Sequence, residues 1–293
     1  MQDDRVGLGW RPELAAGIFE ALDRIDVLEV IADDHVETGR RGREALKHLA
    51  RQVPMHLHGI GLGLAGAEEV STKRLDLFAR LINGVEPEAW SEHLAFVRAG
   101  GVEIGHLAAA PRTAASVAAA TRNLRKAASV IGAMPMMENI ATLVEPPCST
   151  LGEAAWIADI AAASGCGLLL DLHNLYANAT NFGFDPLRLL SEIPLARVGC
   201  IHIAGGRWLD APDGGRRYWL DDHLHDVADP VYELLSEVAA RAAQPLTVIL
   251  ERDGAYPPLP AMLAELDRAR AALAAGRRRR GTALRVAALA HAG

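Results

Sequence analysis

Asp171, His173 and Asn174 follow directly on the apolar run Gly167-Leu168-Leu169-Leu170, so a carboxylate, an imidazole and an amide stand where a buried strand ends. Other apolar runs end in the same way. Met55-His56-Leu57-His58-Gly59 carries two histidines two positions apart, which point to one side of a regular strand. Ser91-Glu92-His93-Leu94, Met137-Glu138-Asn139, Ile201-His202-Ile203 and Ile249-Leu250-Glu251-Arg252-Asp253 repeat the pattern. After the seventh run, a polar stretch carries Asp221-Asp222-His223-Leu224-His225. Imidazoles and carboxylates without thiolates suit iron, zinc or manganese. Their number exceeds what one ion needs, and a carboxylate such as Glu138 or Glu251 is able to bridge two closely spaced ions.

Each residue also has a plainer reading, since a lone histidine near a strand end is more often a hydrogen-bonded core residue than a ligand. The conjunction, in a chain with 11 histidines, shifts the balance toward metal. Asp171 and Glu138 gain most, because a carboxylate after an apolar strand is costly to bury without a cation. His35, His48, His106 and His291 do not share the strand-end pattern; Asp33-Asp34-His35 is placed to line a pocket mouth. If the strand carrying Asp171 ends there and the chain turns, Asp171 and Asn174 become the binding pair and His173 a supporting or lining group. No catalytic residue is assigned beyond the metal centre.

Such residues act together only on a scaffold that gathers strand ends. Short apolar runs at 6–10, 26–32, 54–60, 89–96, 134–140, 167–173, 198–204 and 246–251 alternate with amphipathic segments at 12–23, 40–51, 68–83, 113–131, 151–164, 186–192, 229–242 and 259–275. Pro12 and Pro186 suit first turns, Ser149 or Thr150 suits a cap for 151–164, Asp229 precedes Pro230 as an N-cap, and Gly132 and Gly165 suit helix ends. Eight β/α units without a linker-like break predict an α/β fold: a single (β/α)8 TIM barrel over residues 1–275, with an Arg/Ala-rich tail over 276–293 expected to have little fixed structure. The alternative is an open doubly wound sheet, but no Gly-x-Gly-x-x-Gly turn follows the first strand. In a barrel, polar residues at the C-terminal strand ends form the site.

At 293 residues and 50% hydrophobic, the chain can bury a large core. Its net charge of −7 argues against a general nucleic-acid surface, with Arg277 to Arg280 as a local exception. Cys148, Cys166 and Cys200 form no close-spaced pair and read as small buried hydrophobes. No stretch approaches the ~20 apolar residues of a membrane span, so a soluble cytoplasmic protein is expected.

The same residues resemble those of the multinuclear non-haem iron-dependent oxidative enzymes, the family that includes the methanobactin biosynthesis oxygenase, within the xylose isomerase-like barrel superfamily. The resemblance runs over nearly all of residues 5–270. It is carried by Gly7-Leu8-Gly9-Trp10-Arg11-Pro12, Leu57-His58-Gly59-Ile60-Gly61-Leu62, Ser91-Glu92-His93-Leu94, Glu138-Asn139, Leu170 to Tyr176 with Asn181 to Pro186, Ile201 to Gly205, and Asp221 to His225 with Asp229-Pro230-Val231. It implies His58, His93 and Glu138 as ligands of one metal, Glu138, Asp171, His202 and Glu251 of a second, and Asp221, His223 and Asn174 of a third. His56, Glu92, Asn139, His173, His225 and Asp253 would support the ligands or line the pocket. Asn174 stands where zinc nuclease relatives have His, and Asp33-Asp34-His35 replaces a more usual Glu-Asn-Tyr.

The resemblance further implies two or three iron ions, mixed Fe(II)/Fe(III), with O2 as co-substrate. The substrate would be a side chain, often Cys, of a ribosomally made precursor peptide presented by a separate partner protein, with no nucleic acid or membrane involved. Competing expectations are a zinc-dependent endonuclease IV-like phosphodiesterase, a sugar isomerase, or a peptide-binding barrel without catalysis.

Overall fold

A computed structural model describes residues 3–210 and 215–291, with the side chains of 284–291 outside the description. Its strands are β1 (Arg5–Gly9), β2 (Leu28–Ile31), β3 (Met55–Gly59), β4 (Ala89–His93), β5 (Phe96–Ala99), β6 (Val102–Ala108), β7 (Met136–Glu138), β8 (Gly167–Asp171), β9 (Val198–Ile203), β10 (Gly206–Asp210), β11 (Arg217–Asp221) and β12 (Thr247–Leu250). The helices are α1 (Ala15–Glu20), α2 (Arg40–Ala50), α3 (Thr72–Val85), α4 (Ala114–Ile131), α5 (Glu153–Ser164), α6 (Leu172–Phe182), α7 (Pro186–Glu192), α8 (Asp229–Arg241) and α9 (Leu259–His291). Eight strands close into a barrel in the order β1-β12-β9-β8-β7-β4-β3-β2, every pair parallel. The expected fold class is therefore the one observed, a closed parallel barrel clothed in helices.

Parallel strands covered on both faces read as near-continuous apolar runs, and alternation decides which residues enter the barrel. Val27, Leu169, Cys200 and Ile249 form a small buried apolar cluster of their own, distinct from the larger core. Two residues further along the same strands stand Glu29, Asp171, His202 and Glu251. Period-2 alternation thus sets a polar layer above an apolar plug. Leu8, Leu28, Leu57, Leu168, Ile201 and Leu250 belong instead to the larger core, with Ile18, Leu75, Leu124, Ile160, Leu235 and Leu266 from the surrounding helices. Gly7 is required where β1 meets the start of β2, since a Cβ there would lie 1.9 Å from the Val27 carbonyl oxygen.

Several elements differ from the sequence reading. The strand expected at 167–173 ends at Asp171, and α6 follows at once, a helix the apolar periodicity did not suggest because six of its residues are Asn, His, Tyr or Thr. The segment expected as one helix over 12–23 is broken by two 3-10 turns. α5 starts at Glu153 behind Gly152, so neither Ser149 nor Thr150 caps it; Ser149 instead accepts from the Arg112 N–H. Asp229 is the first residue of α8, behind Ala228. Gly132 and Gly165 end their helices in the left-handed conformation, at φ 90° and 83°. Two antiparallel hairpins, β5–β6 and β10–β11, stand outside the barrel.

At residue 276, where little fixed structure was expected, α9 continues without a break to His291. Arg277 anchors it, donating to both carboxylate oxygens of Asp4 and to the carbonyls of Ala239, Ala242 and Gln244 at the end of α8. Those carbonyls are the helix end that a cation best satisfies. Among the described residues no helix is long and apolar enough to cross a membrane. Arg277→Ala is expected to lower stability by roughly 1–3 kcal/mol in urea unfolding, through the unpaired Asp4 and carbonyl groups it leaves; an unchanged midpoint would contradict the anchoring role.

Candidate metal centre

The C-terminal mouth of the barrel holds a cavity of about 380 Å³ lined by His58, His93, Glu138, Asn174, Asp221, His223 and Glu251, with Arg11, Asp34, His106 and Asp253 around them. Two sets of donor atoms meet here. His58, His93 and Glu138 bring one ligand atom each to within 4.8 Å of one another, and Glu138, Asp171, His202 and Glu251 do the same. Glu138 belongs to both. Its Oε2 lies 3.3 Å from His58 Nε2 and 3.5 Å from His93 Nε2, while its Oε1 lies 3.4 Å from His202 Nδ1. The two oxygens of one carboxylate thus face two different groups of donors.

Each donor is aimed by a specific partner. His58 Nδ1 bonds the Ser91 hydroxyl at 2.8 Å, which turns Nε2 toward Glu138. His93 Nδ1 meets the Gly59 carbonyl at 3.2 Å. Glu92 points away from the cavity, accepting from the Leu62 and His93 N–H groups, so it fixes the loop after β3. Asp171 caps α6: its Oδ1 accepts from the Asn174 N–H at 2.7 Å, and its Oδ2 is left buried and unpartnered. Asn139 exchanges two 2.9 Å bonds with the Asp171 backbone, and its carbonyl accepts from Asn174 Nδ2, which leaves Asn174 Oδ1 unpartnered. The strand end and the first turn of α6 therefore present Asp171 and Asn174 together.

A third convergence lies to one side, where His173, Asp221 and His223 meet. Trp219 Nε1 donates to His173 Nε2 at 2.8 Å, and since indole only donates, His173 must carry its proton on Nδ1, which donates to Asp221 Oδ1 at 2.8 Å. Both nitrogens of His173 are thus engaged, and it positions Asp221 rather than facing the cavity. His223 Nε2 lies 2.8 Å from the same Asp221 oxygen, and its Nδ1 bonds Asp253, which also receives Arg11. His223 has φ +54°, a left-handed conformation uncommon for a side chain of this size. Its N–H and carbonyl are held by Gly205 and Asp253. Gly206 allows β10 to pass, because a Cβ there would lie 2.8 Å from His173 Nε2.

Two expected pocket residues lie elsewhere. His225 bonds Asp222 on the exposed rim, and His56 lines an opening at the N-terminal end with Arg5, Glu88 and Thr247. His106 enters the mouth although its sequence context gave no sign, because the β5–β6 hairpin carries it there. Asp34 lines the mouth, while Asp33 bonds the Ile60 and Gly61 N–H groups. Glu29 was missed: it is 2% exposed, with Oε1 2.8 Å from His202 Nε2. Its place in Leu28-Glu29-Val30, one position off the apolar alternation, was the signal available. Arg252 and Glu265 were missed too; their buried pair, with Arg252 also on the Leu224 carbonyl, ties the His223 loop to α9.

Electrostatics set the donors against one another. Burial lifts the Asp171 carboxyl well above the usual range, and Glu138, Asp221 and Glu251 add to the repulsion. Burial and then the His93 charge push His58 down to about 3. Burial opposes the His93 cation, but Glu138, Glu92 and Glu251 outweigh it and hold the group at about 9. His202 lies 3.0 Å from Glu251 and 2.8 Å from Glu29, yet neither of its ring nitrogens is aligned for a hydrogen bond. Short contacts without hydrogen-bond alignment, and unpartnered oxygens on Glu138, Asp171 and Asn174, are what a donor shell built to surround cations presents.

Residues 5–274 match the family described as RiPP precursor modification enzyme MbnB/TglH/ChrH. The chain belongs to this family. It is 35% identical over 259 residues to a UPF0276 protein of Streptomyces avermitilis, a match covering 86% of this chain and 51% of the relative, so the chain spans about half of that protein's length. It is 35% identical over 273 residues to a UPF0276 protein of Bordetella bronchiseptica, 93% of each, and 33% identical over 276 residues to one of Caulobacter vibrioides, 94% of this chain and 96% of that one. Among solved structures it is similar to L-ribulose 3-epimerase (TM-score 0.60, 15% identity, 98% of each chain) and to endonuclease IV from Thermus thermophilus (TM-score 0.57, 17% identity, 92% of this chain and 98% of that one). At such identities these likenesses show the closed barrel fold alone.

Because Glu138 faces both donor sets, Glu138→Gln is expected to deplete bound metal from both, whereas Asp171→Asn depletes about half as much by elemental analysis; equal losses would contradict the bridging geometry. His93 holds its proton up to about pH 9 in chelator-treated protein. That proton contributes stability fully present below about pH 6.5 and lost as pH rises through about 9. A divalent cation must displace it, so metal affinity is expected to rise across that window with measurable proton release; a pH-independent affinity would contradict it.

Proposed function

We propose that this chain is an oxidative peptide-modifying enzyme: a multinuclear iron centre at the barrel mouth uses O2 to modify a side chain, often Cys, of a ribosomally made precursor peptide. The observation that carries the reading is the double role of Glu138, with one oxygen toward His58 and His93 and the other toward His202. Membership of a family of precursor-peptide modification enzymes supports the substrate class. The nitrogen and carboxylate donors, with no thiolate among them, fit iron.

His58, His93 and Glu138 would hold one ion and Glu138, Asp171, His202 and Glu251 a second; Asp221, His223 and Asn174 would hold a third. When bound, iron supplies O2 activation and a Lewis-acidic position for a substrate thiolate. The chain supplies the rest. Asn139 and the α6 N-terminus fix Asp171 so that its free oxygen faces the cavity. Trp219, through His173, fixes Asp221. Arg11 and Asp253 orient His223 at the rim. Ile60, Ile140 and Leu107 line the mouth and limit water there.

An extended substrate has a route to this cavity. A second cavity of about 450 Å³ shares His106, Leu107, Ala141 and Asp221 with it and is walled by Leu143, Val144, Pro146, Pro147 and Trp219. Among the described residues lining this cavity Arg11 is the only Arg or Lys, and Asp34, Glu138, Asp221, Glu251 and Asp253 make it acidic. A phosphodiester backbone would be repelled there, which supports peptide over nucleic acid. A separate partner protein that presents the peptide belongs to the same reading.

The test is reconstitution. Protein purified without oxygen and loaded with iron is mixed with O2 and a short peptide encoded beside its gene, with and without the product of an adjacent gene as partner. A mass change on the peptide that needs iron and O2 is expected; zinc at full occupancy with no peptide modified would overturn the reading.

A further inference from the structure

Beneath the candidate centre, on the N-terminal side of the barrel, three groups of different chemistry meet: Glu29 of β2, His56 of β3 and Cys200 of β9. A carboxylate oxygen, an imidazole nitrogen and the thiol sulfur lie within 4.8 Å of one another. All three side chains are at least 97% buried. Strand register explains the meeting, since Glu29 pairs with His56 across β2 and β3, while Cys200 precedes His202 by two and so shares its inward face.

Two of the three carry a buried atom without a partner. Glu29 turns Oε1 to His202 and leaves Oε2 buried without a partner, and His56 Nδ1 is likewise buried without one. A buried acceptor or donor left unpaired keeps its full desolvation penalty, and here two stand beside a thiol. On the N-terminal face the group is approached at His56, away from the upper site. A cavity of about 390 Å³ opens on the N-terminal face and is lined by His56, Met136, Gly199 and Thr247, with Arg5 and Glu88 at its side. The Arg5 charge is met by Glu88 at 2.7 Å, so the approach is not closed to a cation.

We propose that Glu29, His56 and Cys200 form a separate site for one borderline-soft divalent cation of the zinc class, with His56 on the side of the N-terminal cavity. The mixed sulfur, nitrogen and oxygen set is a zinc-type donor set, unlike the sulfur-free groups above it. On binding, the Cys200 S–H bond breaks, its proton leaves to solvent and a metal–sulfur bond forms, with no change of oxidation state. The thiolate and the Glu29 carboxylate together neutralise the dication. Because the other oxygen of Glu29 touches His202, an ion here also fixes a residue of the upper centre from below.

The thiolate makes the site separable by spectroscopy. Chelator-treated full-length protein is titrated with Co2+, and the ultraviolet thiolate-to-cobalt charge-transfer band is followed. Once the sulfur-free sites above are also filled, the band is expected to reach the intensity of one thiolate-bound Co2+ per chain, to vanish in Cys200→Ser, to weaken in His56→Gln, and to survive in Cys166→Ser, Cys148→Ser and Asp171→Asn. Circular dichroism checks that each variant is folded. Absence of the band in the folded wild-type protein, or a band unchanged in Cys200→Ser, would overturn the proposal.

Discussion

Everything at the mouth of this barrel follows from the burial of several acidic groups within one small interior. Glu29, Glu138, Asp171 and Glu251 are each at most 5% exposed, and they share the interior with His58 and His202. Removing one unpaired carboxylate from water costs several kcal/mol, a large part of the 5–15 kcal/mol that stabilises a whole domain. A fold that carries four must compensate them, and histidine alone does so incompletely. Asp171 is driven up and His58 driven down by the same crowding that holds His93 up. On the proposed reading, divalent cations would resolve this conflict in one step, because each would replace several mismatched proton contacts with ligand bonds.

The rest of the structure keeps those groups from escaping the conflict by moving. Below them the plug of Val27, Leu169, Cys200 and Ile249 fills the barrel. Beside them Asn139, Ser91 and Trp219 hold backbone or ring nitrogens in fixed orientations. At the rim the left-handed His223 is retained by Gly205, Asp253 and the buried Arg252–Glu265 pair behind its loop. Strain and buried charge concentrate where binding is proposed, and ordinary apolar packing surrounds them.

Much of this was legible in the residues. Short apolar runs gave the eight barrel strands, six of them ending in His, Asp or Glu, because parallel strands buried on both faces read as near-continuous apolar runs. Asp171 with Asn174 was legible once the chain was allowed to turn after Asp171, and the Asp171 cap on α6 is the physical form of that turn. α6 itself was hidden, since Asn174, Asn178 and Asn181 on its buried face bond the Asn139, Ile140 and Trp219 carbonyls and interrupt the apolar pattern of Leu172, Leu175 and Ala179. The hairpins that bring His106 and Trp219 to the mouth were hidden because their pairing is antiparallel and lies outside the barrel rhythm. Glu29 was hidden in an apolar strand, where only a three-dimensional neighbour such as His202 gives its carboxylate a purpose. The continuation of α9 past residue 276 depends on Arg277 finding Asp4, a contact between opposite ends of the chain.

The most direct measurement is anomalous X-ray diffraction at the iron absorption edge on crystals of protein purified without oxygen. The expected result is at least two iron peaks on either side of Glu138, one among His58, His93 and Glu138 and one among Glu138, Asp171, His202 and Glu251. A single peak that does not touch Glu138, or signal only at the zinc edge, would contradict the bridged iron centre.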